Sequence, residues 1–226
     1  MVHQRPGQAA RCVALIGVLG APLLAVGAPV AVAGESPLCF GEPATIVVSE
    51  PGSDVVGTEG PDVMVVTDTD FWTVYGLGGD DRICTDGQGM GGGGDDRLLG
   101  FRRTSTVREL TLGGGPGDDR IYRRGPRDDD PHLSPLMRGG PGNDRLEGGA
   151  NSDHILGGRG RDRIFGGSLW DGLRGGRGKD VIHGEGRGDR MYGGERADRL
   201  VGGSGRDSAR GGPGYDNCNA EFEFTC

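Results

Sequence analysis

Aromatic residues make up only 5% of the 226 residues and hydrophobic residues 34%, too little to fill the wide interior of a globular domain of this length. Histidine is as scarce: beyond the N-terminal leader only His132, His154 and His183 occur. The sequence has no HExxH, no GxSxG and no phosphate loop ending in Lys-Ser/Thr, so catalysis is not expected. No Cys-x-x-Cys or Cys/His spacing suits zinc. An excess of basic charge is missing too: the formal charge is −8, from 33 acidic and 25 basic residues, which argues against nucleic acid as a partner.

One long apolar run exists, from Val13 to Val32, after Arg5 and Arg11 and before Ala31-Val32-Ala33. This pattern predicts a signal peptide over 1–33, cleaved after Ala33, and a secreted product. Gly17, Gly20, Pro22, Gly27 and Pro29 make the run a poor permanent helix, so stable membrane insertion is not expected. Cys39 follows Glu35-Ser36-Pro37-Leu38 instead of the apolar run, which speaks against a lipid anchor. With Cys12 removed, Cys39, Cys84, Cys218 and Cys226 remain for an oxidising compartment. Three pairings are possible. Cys39–Cys84 with Cys218–Cys226 is favoured, because each joins near neighbours at one end of the chain's repeats.

Glycine is what the sequence has in excess, 49 residues, and it is periodic. From Gly139 every ninth residue is Asp, at 144, 153, 162, 171, 180, 189, 198, 207 and 216. Gly opens each unit and a second Gly follows in all but one, where Glu185 stands. The eighth positions are small or apolar: Leu146, Ile155, Ile164, Leu173, Ile182, Met191, Leu200, Ala209 and Cys218. Glycines reach backbone angles closed to other residues, so a short turn can aim several carbonyls at one point beside the Asp carboxylate. Stacked carboxylates on a low-dielectric rod repel one another, which calls for a cation between them. A hard cation such as calcium takes six to eight oxygens, so neighbouring turns have to share each ion.

Units such as Gly157-Gly158-Arg159-Gly160-Arg161-Asp162-Arg163-Ile164-Phe165 resemble the GGxGxDxUx repeats of the RTX (repeats-in-toxin) calcium-binding family. The resemblance is tight over 139–219 and broken upstream, where Gly57 to Met64, Gly76 to Ile83, Gly91 to Leu98 and Gly114 to Ile121 give Asp62, Asp81, Asp96 and Asp119 as equivalents. Residues 100–113 and 122–138 read as insertions, and Pro51 to Val56 as a half-motif. The chain thus divides into a leader (1–33), an irregular β-repeat section (34–138), nine regular nonapeptides (139–219) and a C-terminal cap (220–226). The resemblance implies an all-β fold, a right-handed parallel β-roll with several Ca2+ ions, in which two nonapeptides make one coil and a three-residue strand ends each unit. Asp144, Asp162, Asp180, Asp198 and Asp216 then form one column and Asp153, Asp171, Asp189 and Asp207 a second.

The columns are unequal. Gly142, Gly160, Gly178 and Gly214 keep the fourth-position glycine in the first, where only Arg196 departs, whereas the second has Asn151, Leu169 and Arg187 and keeps only Gly205. If the turn needs φ > 0, Leu and Arg are strained there, and the first column is expected to hold its ions more tightly. Each coil buries little and its glycines lose much entropy on ordering, so folding is expected to follow calcium binding.

Phe222 and Phe224 alternate in the tail and read as a lid over the last coil. At the other end the β-formers Ile46, Val47 and Val48, then Val63 to Val66, read as strands that begin the stack. Arg159, Arg161, Arg163, Arg177 and Lys179 cluster along the first column, so a calcium-loaded roll would offer a cationic face to an anionic polysaccharide or cell-surface polymer. The tripeptide Arg187-Gly188-Asp189 lies in the repeat and is expected by chance there, and Trp170 alone decides nothing.

Overall fold

The computed structural model describes residues 37–49, 53–67, 73–101, 110–124 and 136–226. The leader, and with it the apolar run, lies outside them, as do Pro51 and Gly52 of the half-motif. Among the described residues no helix is long and apolar enough to cross a membrane.

The glycine-rich repeats form two ten-stranded parallel sheets. Sheet I runs from Ile46–Val48 to Asn217–Asn219, and sheet II from Val55–Val56 to Phe222–Phe224. Successive strands alternate between the sheets. Arg145 therefore pairs with Arg163, and His154 with Gly172, so each unit stacks on the second unit beyond it, as the two-unit coil implies. The fold is a parallel β-solenoid of the β-roll kind.

Strands are longer than the three residues expected. His154–Arg159 and Gly172–Arg177 continue through the glycine pair, with Gly158 opposite Gly176, and leave only Gly-x-Asp for the turn. The reason is steric: without side chains the paired glycines of successive coils approach closely enough to keep the ladder going.

Alternation decides the core. In Arg163–Gly167 only Ile164 and Gly166 are buried. The eighth positions meet in a single file between the sheets, with Leu146, Ile164, Ile182 and Leu200 from sheet I and Ile155, Leu173, Met191 and Ala209 from sheet II. Met64, Ile83, Leu98 and Ile121 continue the file upstream. Coil length varies there: the Asp-to-Asp steps are 19, 15, 23 and 25 residues before settling at 18. The stretches read as insertions are so only in part. Thr111–Gly113 and the start of Leu136–Pro141 are strands of sheet II, and Arg120–Arg124 is a strand of sheet I; residues 102–109 and 125–135 lie outside the described ones.

Both ends are pinned by disulfides, Cys39–Cys84 and Cys218–Cys226, with Cα atoms 5.7 and 5.8 Å apart, which is the favoured pairing. The antiparallel pair Leu38–Cys39 and Glu42–Pro43 covers the outer side of sheet I, so Val63 and Val65 are buried with Cys39 and Cys84 while Met64 and Val66 join the core. The tail departs from the expected lid. Phe222–Phe224 pairs parallel to Ser208–Arg210 as the last strand of sheet II, and Phe222 is 43% exposed with the Arg206 guanidinium 5.2 Å from its ring centroid. A paired strand satisfies backbone groups at the sheet's end that a lid of side chains would leave open.

Candidate metal centre

Each repeat Asp ends a three-residue turn just before a strand, so the two-sheet coil sorts the carboxylates onto two edges. Column one lies where the chain enters sheet I, and it is longer than the regular repeats. The N–H of each Asp donates to Oδ1 of the Asp one coil on, at 2.8–2.9 Å, through Asp62, Asp81, Asp96, Asp119, Asp144, Asp162, Asp180, Asp198 and Asp216. Column two, at the entry to sheet II, joins Asp153, Asp171, Asp189 and Asp207 by the same bond at 2.7–2.9 Å. The structure thus brings together all thirteen predicted aspartates in two rows, and the four upstream ones belong to the first.

Beyond the first Asp of each column, one oxygen of each carboxylate is used by this ladder. The other, Oδ2, is buried without a hydrogen-bond partner in Asp81, Asp96, Asp119, Asp144, Asp153, Asp162, Asp171, Asp180, Asp189, Asp198, Asp207 and Asp216. Such repeated orphans are costly unless something satisfies them. Beside each orphan stands the first glycine of its own unit. A Cβ on Gly157 would overlap both Asp162 Oδ2 and the Gly175 carbonyl of the next coil, and a Cβ on Gly166 would overlap Asp171 Oδ2 and face the Gly184 carbonyl. The first glycine therefore keeps open a locus lined by a carboxylate oxygen and a backbone oxygen, a donor set suited to a hard cation. No group of three or more His, Cys, Asp or Glu side chains that could hold a metal occurs among the described residues, so backbone carbonyls have to complete any such set.

Electrostatics call for a positive charge at these loci. Burial pushes Asp119 and Asp171 up to about 8, Asp81, Asp153, Asp162, Asp189 and Asp198 to about 7, and Asp96, Asp144 and Asp180 to about 6. The ladder N–H opposes the rise at most of these positions, and neighbouring carboxylates add to it, as Asp144 and Asp180 do at Asp162.

Asp62 is the exception in its row. Its Oδ2 accepts from the Thr58 N–H at 2.6 Å and the Thr58 hydroxyl at 3.0 Å. An outer row, unforeseen from the sequence, runs beside the same edge: Asp95 and Asp118 donate their N–H groups to Asp80 and Asp95, at 2.9 and 2.8 Å, and Asn143 donates to Asp118 at 2.7 Å.

The two edges differ in their turns. Position four has positive φ in Gly142, Gly160, Gly178 and Gly205, and also in Leu169 (78°), Arg187 (74°) and Arg196 (81°). In column one its N–H bonds to the next coil: Gly142 to Arg159 O and Gly160 to Arg177 O at 2.8 Å, Gly178 to Glu195 O at 3.1 Å, and Arg196 to Pro213 O at 2.8 Å. Among the described residues no such bond is made by Leu169, Arg187 or Gly205 in column two.

Two participants carry no repeat phase and were missed by sequence reading. Arg123 is 6% exposed and its Nη1 lies 3.3 Å from Asp153 Oδ1, where a preceding Asp N–H would be. Glu221 accepts the Asp207 N–H at 2.9 Å. Of the clustered cations, Arg161, Arg163 and Lys179 line one groove of about 720 Å³ along column one, while Arg159 and Arg177 pair across sheet II, with Arg177 3.3 Å from Glu195.

Stacked coils that leave a carboxylate oxygen unsatisfied at level after level define a calcium-binding repeat protein of β-roll fold. Residues 138–169, 170–186 and 183–218 match the family model described as the RTX calcium-binding nonapeptide repeat (4 copies). No curated protein and no solved structure matches the chain.

Proposed function

We propose that the chain is a secreted, non-catalytic protein that becomes ordered when calcium binds along the two Asp columns. The observation carrying this is the buried, unpartnered Oδ2 repeated at twelve aspartates beside an open glycine locus. Asp81, Asp96, Asp119, Asp144, Asp162, Asp180, Asp198 and Asp216 supply the first column's carboxylates and Asp153, Asp171, Asp189 and Asp207 the second's; Asp62, held by Thr58, contributes least. Bound calcium supplies the charge that lets these groups ionise together. The chain's own part is to hold one oxygen of each carboxylate, by a backbone N–H or, at Asp153, by the Arg123 guanidinium, and to exclude side chains from the locus. Secretion is supported by the leader pattern and by the two disulfides. Column one is the tighter of the two, an assignment supported by its extra coil-to-coil bonds. Far-UV circular dichroism during calcium titration tests the reading: a coil-to-β transition is expected, and a signal indifferent to calcium and to chelator overturns it.

A second reading is favoured by register. Arg82, Arg97, Arg120, Arg145 and Arg163 stand directly opposite one another on five consecutive strands of sheet I. Only Arg82 and Arg145 of these have a carboxylate within ion-pair distance among the described residues, Glu42 and Glu147. With calcium bound, this row and the neighbouring Arg161 and Lys179 suit an anionic polysaccharide or cell-surface polymer. Retention on an anionic glycan column with calcium, lost at raised salt, is expected; no retention at low salt eliminates this reading.

A further inference from the structure

Column two does not stop at its last repeat Asp. The Asp207 N–H donates to Glu221 Oε2 at 2.9 Å, the bond that Asp153, Asp171 and Asp189 make to the Asp of the next coil. The Phe222 N–H donates to Asp207 O at 3.1 Å, as the Ser208 N–H does to Asp189 O at 2.8 Å. Ser208 pairs with Phe222, so Glu221 holds the place of a repeat Asp one coil beyond Asp207. It lies 14 residues on instead of 18 and falls outside the matched repeats.

That shortening leaves a gap which Glu221 is placed to fill. Only Ala220 separates strand Asn217–Asn219 from Glu221, so this level has no glycine pair. Beside Gly148, Gly166 and Gly184 a carbonyl of the next coil's glycine shares the locus with the Asp, whereas the closest atoms to a Cβ on Gly202 all belong to Asp207. Asp207 itself is 0% exposed and its Oδ2 has no partner. The Glu221 carboxylate is the oxygen that the next coil brings to this level, and its longer side chain compensates for the missing turn. Cys218 and Cys226 flank it, joined with Cα atoms 5.8 Å apart.

We propose that Asp207 and Glu221 form a further calcium level at the end of column two, with Glu221 a ligand supplied from outside the nonapeptides and held in place by the Cys218–Cys226 disulfide. This rests on the reading of the Asp columns as calcium sites. The test counts calcium bound per chain by equilibrium dialysis with radioactive calcium, for the unaltered chain and for Glu221→Gln, Asp171→Asn and Cys218→Ser/Cys226→Ser. The Gln keeps an oxygen for the Asp207 N–H, and circular dichroism at saturating calcium checks that the strands remain. Glu221→Gln is expected to lose one ion, or to weaken the last-filled level at least tenfold, and the cysteine variant to do the same. An unchanged count and affinity in Glu221→Gln, with a loss in Asp171→Asn, overturns the Glu221 site alone. No change in either overturns the reading of column two as well. A full count in the cysteine variant overturns the role given to the disulfide.

Discussion

The Asp153 carboxylate takes from the Arg123 guanidinium, at 3.3 Å, the hydrogen bond that later carboxylates of its column take from a backbone N–H. Both side chains are almost wholly buried. The chain thus carries its own cation at the head of column two.

Removing that cation leaves Asp153 Oδ1 buried without its donor. Arg123→Met is expected to destabilise the calcium-loaded protein by about 3 kcal/mol, the order found when one half of a buried ion pair is deleted. Urea unfolding at fixed calcium measures the loss, and an unchanged midpoint in Arg123→Met contradicts the pairing.

The pH dependence has a definite sign. The aspartates carry raised values of about 6 to 8 in the calcium-free fold against 3.8 for the ordinary group. Folding is therefore helped by protonation: the contribution is full below 3.8 and is lost as pH rises through about 6 to 8. Metal-free protein should show more β-structure at acid pH than at neutral pH, and calcium affinity should rise steeply across the same window because each ion displaces protons. Circular dichroism against pH, with and without saturating calcium, checks this. Metal-free β-structure that grows from acid to neutral pH is the contrary result.

Glycine substitutions separate the loci from the open edges. Gly157→Ala puts a Cβ against Asp162 Oδ2 and the Gly175 carbonyl, whereas a Cβ on Gly93 meets nothing within 4 Å. The first is expected to cost about 2–3 kcal/mol and to weaken calcium binding; the second should stay within about 1 kcal/mol, the ordinary gain or cost of a glycine exchange. Chemical denaturation in calcium gives both values.

Position four offers the reverse experiment. Leu169 and Arg187 sit at φ 78° and 74°, where glycine is unstrained. Leu169→Gly and Arg187→Gly are each expected to stabilise the loaded roll by about 1 kcal/mol, read as a raised thermal midpoint at constant calcium. A fall in both midpoints contradicts strain at these turns.

Much of this was legible because a nine-residue phase carries its own register. The spacing of Asp144, Asp162 and Asp180, read through the family resemblance, placed them on one edge, and the eighth positions from Leu146 to Ala209 form the core as read. Upstream, Asp62, Asp81, Asp96 and Asp119 were recognisable by their turns, but coil steps of 19, 15, 23 and 25 residues hid that they continue column one. The chain absorbs those length changes away from the Asp turns, where no phase marks them. Arg123 and Glu221 could not be found by period, since they act at separations of 30 and 14 residues. Phe222 was misplaced because alternation alone does not say whether a last strand pairs in the sheet or folds across its end.

On the proposed reading, calcium sits beside the orphaned Asp oxygens. Anomalous diffraction from a crystal of the calcium-loaded chain tests it most directly. Ions are expected in rows along both edges, about 2.3–2.6 Å from Asp Oδ2 atoms, with the fuller occupancy beside Asp144, Asp162 and Asp180. Saturating calcium with no ion at those oxygens, or with ions confined to the outer row of Asp80, Asp95 and Asp118, would contradict it.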